Sequence, residues 1–442
     1  MNKPSRIKRS LKFSLWDGIF ASGMAGLITD YITPYALTLK ATSSQIGFLS
    51  AAPNLTSSVA QLRSADLTEK FKSRKKIINT FVLLHTLMLL PIIFIPYLFK
   101  AQPVLFLIIF ITLFNSLNAL AIPAWSSLMS DYIPYRMRGK YFGWRSKIMV
   151  AVAILSAFLA GFILHHFKDN ILKGFVIIFG LAFVARLISW YFLTRMYEPR
   201  FKVNPDSYFS FFDFIKRIRE SNFAKFVIFV ALLNFCVNLA APFFSVLMIR
   251  DLKFNYLIYT IVVTCVSISQ IFTIDRWGRH ADKVGNVKVL KFTSLIIASL
   301  PLWWIINHSP LYLVFIQILS GFAWSGFNLC TTNFIYDAVR PEKRTRCIAY
   351  FSACSGVALC LGALLGGYLV NILPSLFGYK ILSLFLISTI LRFLVVSLFS
   401  GKISEVRKTE KISSKDLFYS VIGLKPMLGI AQESRQIVRK EE

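Results

Sequence analysis

The sequence predicts an all-α membrane protein with twelve transmembrane helices in two sets of six. Three observations predict this fold class: the composition, the length of the apolar runs and a repeat between the two parts of the chain. Of the 442 residues, 56% are hydrophobic and only 16% are charged. A soluble domain carries roughly 25% charged residues, so this chain lacks the polar surface to cover itself in water.

Twelve runs of the sequence are long and apolar enough to cross a bilayer as helices. A span needs about 20 mostly apolar residues, because a helix rises about 1.5 Å per residue and the hydrocarbon is about 30 Å thick. The predicted spans 1 to 12 cover residues 14–39, 44–64, 77–99, 103–128, 141–165, 173–195, 222–248, 255–274, 289–307, 310–335, 347–371 and 378–400. Strand-like alternation is absent, which argues against a β-barrel.

The distribution of basic residues predicts the orientation of the chain. The chain carries 50 Lys and Arg against 21 Asp and Glu, which gives a net charge of +29. With both termini cytoplasmic, nearly all basic residues fall on the cytoplasmic side, as the positive-inside rule requires. The basic segments are 70–76, 136–140, 195–219, 276–291, 340–346 and the tail after residue 402. This pattern accounts for the charge without a nucleic-acid partner, and it predicts a multi-pass protein of the cytoplasmic membrane.

A polar stretch near the middle divides the chain into two parts with matching features. We predict a cytoplasmic N-terminus at 1–13, an N-terminal six-helix bundle at 14–195, a central cytoplasmic loop at 196–221, a C-terminal six-helix bundle at 222–400 and a cytoplasmic tail at 401–442. Asp131 and Asp337 each end the fourth span of their part, and Arg186 and Arg392 lie in the sixth spans. These matches indicate an internal repeat.

The loops after spans 2 and 8 carry similar short motifs. The second reads Gly278-Arg-His-Ala-Asp282-Lys283-Val-Gly285, and the first reads Ala65-Asp66-Leu-Thr-Glu69-Lys70-Phe-Lys72. Both resemble the G-x-x-x-D-[RK]-x-G-[RK] signature of the major facilitator superfamily. In the first copy Ala65 and Lys72 replace glycines, and Glu69 replaces the acid unless Asp66 takes that part. The resemblance implies two bundles related by pseudo-twofold symmetry around a central cavity, working as a monomer by alternating access.

The resemblance also implies a cytoplasmic gate that holds the bundles together when the cavity faces outward. In such a gate, acids at helix ends accept hydrogen bonds from facing helices and pair with Arg or Lys. Ordinary juxtamembrane charge that only sets the topology is the alternative. The candidates are Asp66, Glu69, Arg74, Lys75, Asp131, Arg138, Arg145, Gly278, Asp282, Lys283, Gly285, Asp337 and Arg344, with Asp131 expected beside Arg138.

Asp30 is the deepest acid in the predicted spans. It lies about 15 residues into span 1, or about 22 Å along a helix that starts at the inner face. A carboxylate inside a membrane costs a few kcal/mol and usually faces a cavity or a partner. Three roles stay open for it: proton coupling, a contact with the solute or a neighbouring helix without protons, and a position nearer the outer headgroups.

Polar and aromatic side chains of the spans that line the cavity in the family form the candidate solute site. They are Asp30, Asn54, Asn115, Asn118, Trp125, Asn234, Asn238, Gln317, Trp324 and Asn328. Amides beside aromatic rings suit a neutral or zwitterionic organic solute. Packing between helices is the competing role for each amide. Arg186 and Arg392 are expected to be structural, because spans 6 and 12 are peripheral in the family.

The sequence lacks the motifs of ATP hydrolysis and of zinc-dependent hydrolysis. It contains no G-x-x-x-x-G-K-[ST] loop and no H-E-x-x-H, and its six Cys form no zinc pattern. We therefore expect no cofactor, no metal and no enzymatic activity. We predict a secondary active transporter of a small organic solute, with a proton as a candidate partner through Asp30. The alternatives are a non-coupled facilitator, a lipid-moving or ligand-sensing protein on the same fold, and a membrane-embedded enzyme.

Overall fold

The computed structural model describes residues 3–134, 137–199, 221–339, 341–399 and 401–406, together with Leu417 and Val421. Within these residues the chain forms long helices joined by short loops. The N half contains α1 (Lys3–Ile28), α2 (Ile32–Thr38), α3 (Ser43–Phe71), α4 (Arg74–Leu87), α5 (Leu89–Leu98), α6 (Pro103–Tyr132), α7 (Arg138–His166) and α8 (Ile171–Thr194). The C half contains α9 (Asn222–Val246), α10 (Tyr256–Val284), α11 (Asn286–Ile306), α12 (Pro310–Ala338), α13 (Pro341–Ile372) and α14 (Lys380–Phe399).

The helices match the predicted spans one for one, with spans 1 and 3 each broken into two helices. Among the described residues, ten segments are long and apolar enough to cross a membrane. The predicted spans 1 and 2 are not among those ten, although they form helices of 26 and 29 residues. Basic residues in the first turns of α1 and a series of Ser, Thr and Gln in α3 explain why their hydropathy is lower.

Each half presents a basic end and an opposite end, which we call the far end. The basic end carries the loops after α3 and α10, and the far end carries the loops after α2, α5, α7, α9, α11 and α13. The predicted central loop lies largely at 200–220, outside the described residues, as does most of the predicted tail. Leu417 and Val421 are fully buried, and Arg276 of α10 donates a hydrogen bond to the Val421 carbonyl at 3.4 Å.

Local sequence explains where the helices begin and end. Thr42 and Gln45 form a capping box at the start of α3, and Asn255 accepts a hydrogen bond from the Ile258 amide at the start of α10. Pro103 and Pro310 each occupy the first turn of a helix, where the missing amide hydrogen costs nothing. These caps set the positions of the far-end loops.

The two halves pack together through helices that approach closely. Glycines of α13 make this approach possible toward α9 of the same half and toward α3 of the other half. A side chain at Gly366 would meet the Leu239 carbonyl of α9, and a side chain at Gly367 would meet Gly47 of α3. Close backbone approach at small residues is the usual way in which helices associate in lipid. As a result, α13 of the C half lies against α3 of the N half.

Candidate functional site

Buried hydrogen bonds join the two halves at the far end. The Tyr31 hydroxyl lies 2.5 Å from the Thr260 hydroxyl and donates to the Ala157 carbonyl at 2.6 Å. The Tyr259 hydroxyl donates to the Asp30 carbonyl at 2.5 Å. The Tyr31 and Tyr259 side chains are 0% and 1% exposed. The far end is therefore closed between α10 and the 3₁₀ turn at Thr29–Tyr31 that separates α1 from α2.

Nearer the basic end, the halves are joined by an exposed ion pair. Lys147 Nζ of α7 lies 2.9 Å from Asp275 Oδ2 of α10, and the two side chains are 55% and 66% exposed. Each residue lies roughly 13 Å along its helix from the basic end, at about 1.5 Å per residue. Exposed charges at that depth need water around them, because lipid would make them expensive. The junction of the two halves nearer the basic end therefore exposes two charged side chains, whereas the far-end junction is buried.

A cavity of about 220 Å³ lies inside the N half, between α1, α4, α6, α7 and α8. Asp17 is 5% exposed and lies on its α1 wall. One carboxylate oxygen of Asp17 accepts a hydrogen bond from the Ser189 hydroxyl at 2.7 Å. The other lies 3.9 Å from Arg145 Nη2. The cavity thus holds a buried carboxylate with one hydroxyl donor and one cation beside it.

Two guanidinium groups complete the polar wall of this cavity. Arg186 donates to the Ser189 hydroxyl at 3.0 Å and to Asn118 Oδ1 at 3.2 Å. Arg145 donates to the Ser14 carbonyl at 3.1 Å, and its guanidinium lies 4.8 Å from the Trp125 ring centroid. In both arginines, the buried Nε has no hydrogen-bond partner among the described residues. We call Asp17, Asn118, Trp125, Arg145, Arg186 and Ser189 the N-half pocket.

The N-half pocket contains two residues for which the sequence analysis predicted other roles. Arg186, expected to be structural and peripheral, is 7% exposed and faces the interior of the bundle. Arg145, assigned to the gate, lines the same cavity. The sequence analysis missed Asp17 and Ser189. The sequence did contain a signal. Charged residues inside spans usually pair with opposite charges, and span 1 carries Asp17 while spans 5 and 6 carry Arg.

Arg392, at the matching position of the C half, has different partners. It is 2% exposed, and it donates to the Ile297 carbonyl at 2.9 Å and to the Val237 carbonyl at 3.3 Å. Ile297 lies four residues before Pro301, which lies within α11. Proline has no amide hydrogen, so the Ile297 carbonyl lacks its helical donor, and Arg392 supplies one. The structural role expected for Arg392 agrees with these contacts.

The predicted solute residues are distributed over several environments. Asn54 and Asn115 donate to carbonyls of their own helices at 2.9 Å, and Asn238 donates to the Leu359 carbonyl of α13 at 2.6 Å. Asn118 and Trp125 belong to the N-half pocket. Apart from Asp30, four remain: Asn234 and Gln317, which are half-buried, Trp324, which packs against Phe327, and Asn328, which is exposed.

Asp30 lies in the far-end contact and outside the N-half pocket. Its carbonyl accepts the hydrogen bond from Tyr259, and its side chain is half-buried. Among the described residues, no side chain forms an ion pair or hydrogen bond with its carboxylate. A carboxylate without a partner therefore lies beside the hydrogen bonds that close the far end.

A network of hydrogen bonds joins three helices at the basic end of the N half. Arg74, at the start of α4, forms an ion pair with Asp131, at the end of α6, with 2.7 Å between Nη2 and Oδ2. The Glu198 carboxylate, after α8, accepts from the amides of Arg74 and Lys75 at 2.6 and 3.2 Å and from the Ser73 hydroxyl at 2.6 Å. An anion at a helix N-terminus is stabilised by the free amides and the helix dipole.

The same network recurs at the basic end of the C half. Asn286, at the start of α11, donates to Asp337 Oδ2 at 2.8 Å. The Glu405 carboxylate, after α14, accepts from the Val287 amide at 2.7 Å. Asp337 corresponds to Asp131, Asn286 to Arg74 and Glu405 to Glu198. This correspondence agrees with the predicted repeat, and the sequence analysis missed Glu198, Glu405 and Asn286.

The other gate candidates lie around these two networks. Arg138 donates to the carbonyls of Ser130 and Ile133 at 2.7 and 3.1 Å. Gly285 joins α10 to α11 with a φ of 92°, a conformation that favours glycine, and Lys72 ends α3 with a φ of 50°. Gly278, Asp282 and Lys283 lie in the last two turns of α10. The side chains of Asp66, Glu69 and Arg344 lie outside the described part of the chain.

Comparison with known proteins gives a family for this arrangement. The sequence profile of the Major Facilitator Superfamily matches residues 15–274 and 226–431. The multi-drug resistance efflux pump PmrA of Streptococcus pneumoniae is 22% identical over 375 residues, which are 82% of this chain and 89% of the pump. The PmrA homolog of Lactococcus lactis is 22% identical over 253 residues, which are 55% of this chain and 60% of the homolog.

Solved structures show the same fold. A mutant of the nucleoside transporter NupG superposes with a TM-score of 0.70 at 16% identity, over 88% of this chain and 98% of NupG. A D-xylose–proton symporter superposes with a TM-score of 0.69 at 14% identity, over 91% of this chain and 99% of the symporter. With two matching halves, spans along most of the chain and these relatives, the chain belongs to the Major Facilitator Superfamily of multi-pass membrane transporters.

Proposed function

We propose that this protein is a secondary active transporter that moves a small organic solute across the cytoplasmic membrane by alternating access. One observation supports the proposal: the far end is closed by buried hydrogen bonds between the halves, whereas the junction nearer the basic end carries the exposed ion pair of Lys147 and Asp275. A cavity that reaches one side at a time is what alternating access requires.

The orientation of the protein follows from its charge. Basic loops stay on the cytoplasmic side of a membrane protein, so we assign the basic end and both termini to the cytoplasm. The structure then corresponds to an inward-open state. Closing that side requires the two basic-end networks to approach each other, which is the gate expected from the sequence.

Asp30 is the residue that we propose for proton coupling. Its carboxylate has no ion-pair partner within the described residues, and its main chain belongs to the far-end contact that must break when the transporter opens outward. Protonation would remove a charge from this contact, so the charge state of Asp30 would affect the equilibrium between the two states.

The test begins with a solute found by screening purified protein against a metabolite library for thermal stabilisation. Uptake of that solute into proteoliposomes is then measured with and without an imposed pH gradient. We expect the wild type to accumulate solute only with the gradient. Asp30→Asn should exchange solute across the membrane and fail to accumulate it.

Asp251→Asn is the matched control, because it also removes an acid near the far end, one that pairs with Arg250 at 2.8 Å. It should keep gradient-driven accumulation. Unchanged gradient dependence in Asp30→Asn would remove Asp30 from the mechanism. If the wild type transports solute independently of the pH gradient, the protein is a facilitator. If it transports none of the solutes that stabilise it, the proposal as a whole is contradicted.

A further inference from the structure

We propose that the N-half pocket binds the anionic group of a small organic solute and thereby sets the substrate class of the transporter. This inference rests on the proposed function, since it names the kind of solute that is moved. It departs from the neutral or zwitterionic solute that the amides alone suggest.

The charges of the pocket do not balance among the residues that line it. Two guanidinium groups, Arg145 and Arg186, face a single carboxylate, Asp17. Both arginines are largely buried, with Arg186 at 7% exposed and the Arg145 side chain at 13%. A buried charge without compensation is costly. An anion in the cavity would neutralise the remaining positive charge.

Hydrogen-bond donors are also left over. The Nε atoms of Arg145 and Arg186 are buried and have no partner in the described part of the chain. A guanidinium group binds carboxylate or phosphate oxygens through parallel N–H donors, with higher geometric specificity than an ammonium group. Both arginines line the same cavity, so an anion that enters it meets two guanidinium groups.

The rest of the cavity wall is apolar and suits a solute with a small apolar body. Ile78, Val82, Ile122, Met149 and Leu193 line the cavity beside Trp125. These side chains suit a short hydrocarbon or aromatic body attached to the anion. The volume of about 220 Å³ is below the range of roughly 300–1,000 Å³ that drug-sized ligands occupy. The cavity therefore has room for a small organic anion.

The position of the pocket agrees with entry from the open side. Ile78 lies near the start of α4 and Leu193 near the end of α8, and both of these helix ends belong to the basic end. A free organic anion and the headgroup of an anionic lipid share the chemistry that the pocket recognises. The experiment separates these two sources.

The test uses three probes of similar shape: benzoate, benzamide and benzylammonium. Binding to the purified full-length protein in an uncharged detergent is measured by thermal stabilisation and by calorimetry. We expect benzoate to bind, and benzamide and benzylammonium to bind at least about tenfold more weakly, because a hydrogen bond to a charged group contributes about 1.5–3 kcal/mol.

Variants assign the binding to the pocket. Arg186→Gln and Arg145→Gln should each weaken benzoate binding about tenfold or more, by the same reasoning. Asp17→Asn removes the one negative charge of the N-half pocket and should tighten benzoate binding. Arg195→Gln is the matched control, since Arg195 follows α8 at the basic end but is exposed over Tyr191. It should bind benzoate as the wild type does.

Tighter binding in Asp17→Asn is the outcome that a structural role cannot give, because a misfolded variant would bind less. Equal binding of all three probes, preference for benzylammonium, or loss of benzoate binding in Asp17→Asn would each overturn the inference. Binding of dihexanoyl phosphatidylglycerol without benzoate would keep an anion site and assign it to lipid. Transport of a different solute with no anion binding would overturn this inference and leave the proposed function standing. Anion binding without transport would keep the anion site and contradict the proposed function.

Discussion

Arg186 and Arg392 occupy matching positions in the two halves, yet their neighbours give them different roles. Arg392 bonds to main-chain carbonyls, one of which is freed by Pro301, and so it completes the fold of the C half. Arg186 bonds to the side chains of Ser189 and Asn118 at the edge of a cavity. The comparison shows that residues at matching positions of the repeat can have different acceptors, side chains for Arg186 and main-chain carbonyls for Arg392, which is the basis for the ligand-binding role proposed for Arg186.

At the basic end, by contrast, the two halves have corresponding contacts. There, Glu198 and Glu405 both accept from the first amides of a helix, and Asp131 and Asp337 both bond to the residue that starts that helix. The hydrogen-bond network at the basic end is therefore common to both halves, whereas the charged cavity lies in the N half. The variants below test that division.

The largest expected effect is the loss of stability in Arg392→Met. This change leaves the Ile297 carbonyl without a donor in a buried, apolar site, so we expect a loss of about 3 kcal/mol of unfolding free energy. Arg186→Met should lose only about 1 kcal/mol, because the Ser189 hydroxyl keeps Asp17 as its partner and Asn118 lines the cavity. Thermal unfolding of both variants in the same detergent measures the difference.

Pro301→Ala provides the control for this prediction. It restores an amide hydrogen to the Ile297 carbonyl, so it should recover part of the stability that Arg392→Met loses. A double-mutant cycle gives the coupling between the two residues. Equal losses in Arg392→Met and Arg186→Met, with no coupling to Pro301, would refute the division of roles.

A smaller effect is expected where the two motif loops differ. Gly285→Ala places a side chain at a φ of 92°, which should cost about 2 kcal/mol. Lys72 has a left-handed backbone conformation with a φ of 50°, which is unfavourable for a residue with a side chain. Lys72→Gly removes this strain, so the free energy of unfolding should stay the same or rise by up to about 1 kcal/mol. Chemical unfolding monitored by Trp fluorescence distinguishes the two signs, and a stabilising Gly285→Ala would contradict the role given to that glycine.

The smallest effect concerns the two glutamates that bond to helix N-termini. Glu198→Gln should cost about 1–2 kcal/mol, because Glu198 accepts from two amides and from Ser73. Glu405→Gln should cost about 0.5–1 kcal/mol, since the Val287 amide is its donor from α11. Hydrogen exchange at the first turns of α4 and α11 reports both changes separately, and faster exchange confined to α11 would be inconsistent with this ranking.

The sequence predicted those features that depend on composition along the chain. Apolar length located the helices, and the 206-residue offset that separates Asp131 from Asp337 predicted the repeat. Both follow from the low polarity of the membrane interior, which acts on each segment independently.

Side-chain partners were harder to predict, because the fold brings distant residues together. Asp131 was expected beside Arg138, yet it forms its ion pair with Arg74 of another helix. Asp17 meets Ser189 across the bundle. Asn238 was a candidate for the solute site, but its amide bonds to the α13 backbone, and nothing in its own segment distinguishes these two roles.

Alternating access itself is tested most directly by distances between spin labels in nanodiscs. In a chain whose six cysteines are replaced by alanine, one pair of labels at Lys72→Cys and Arg279→Cys reports the basic end. A second pair at Lys100→Cys and Ser309→Cys reports the far end. The account predicts two populations in each pair, with the basic-end distance shortening in the state in which the far-end distance lengthens. A single unchanging distance in both pairs across pH and added solute would contradict it.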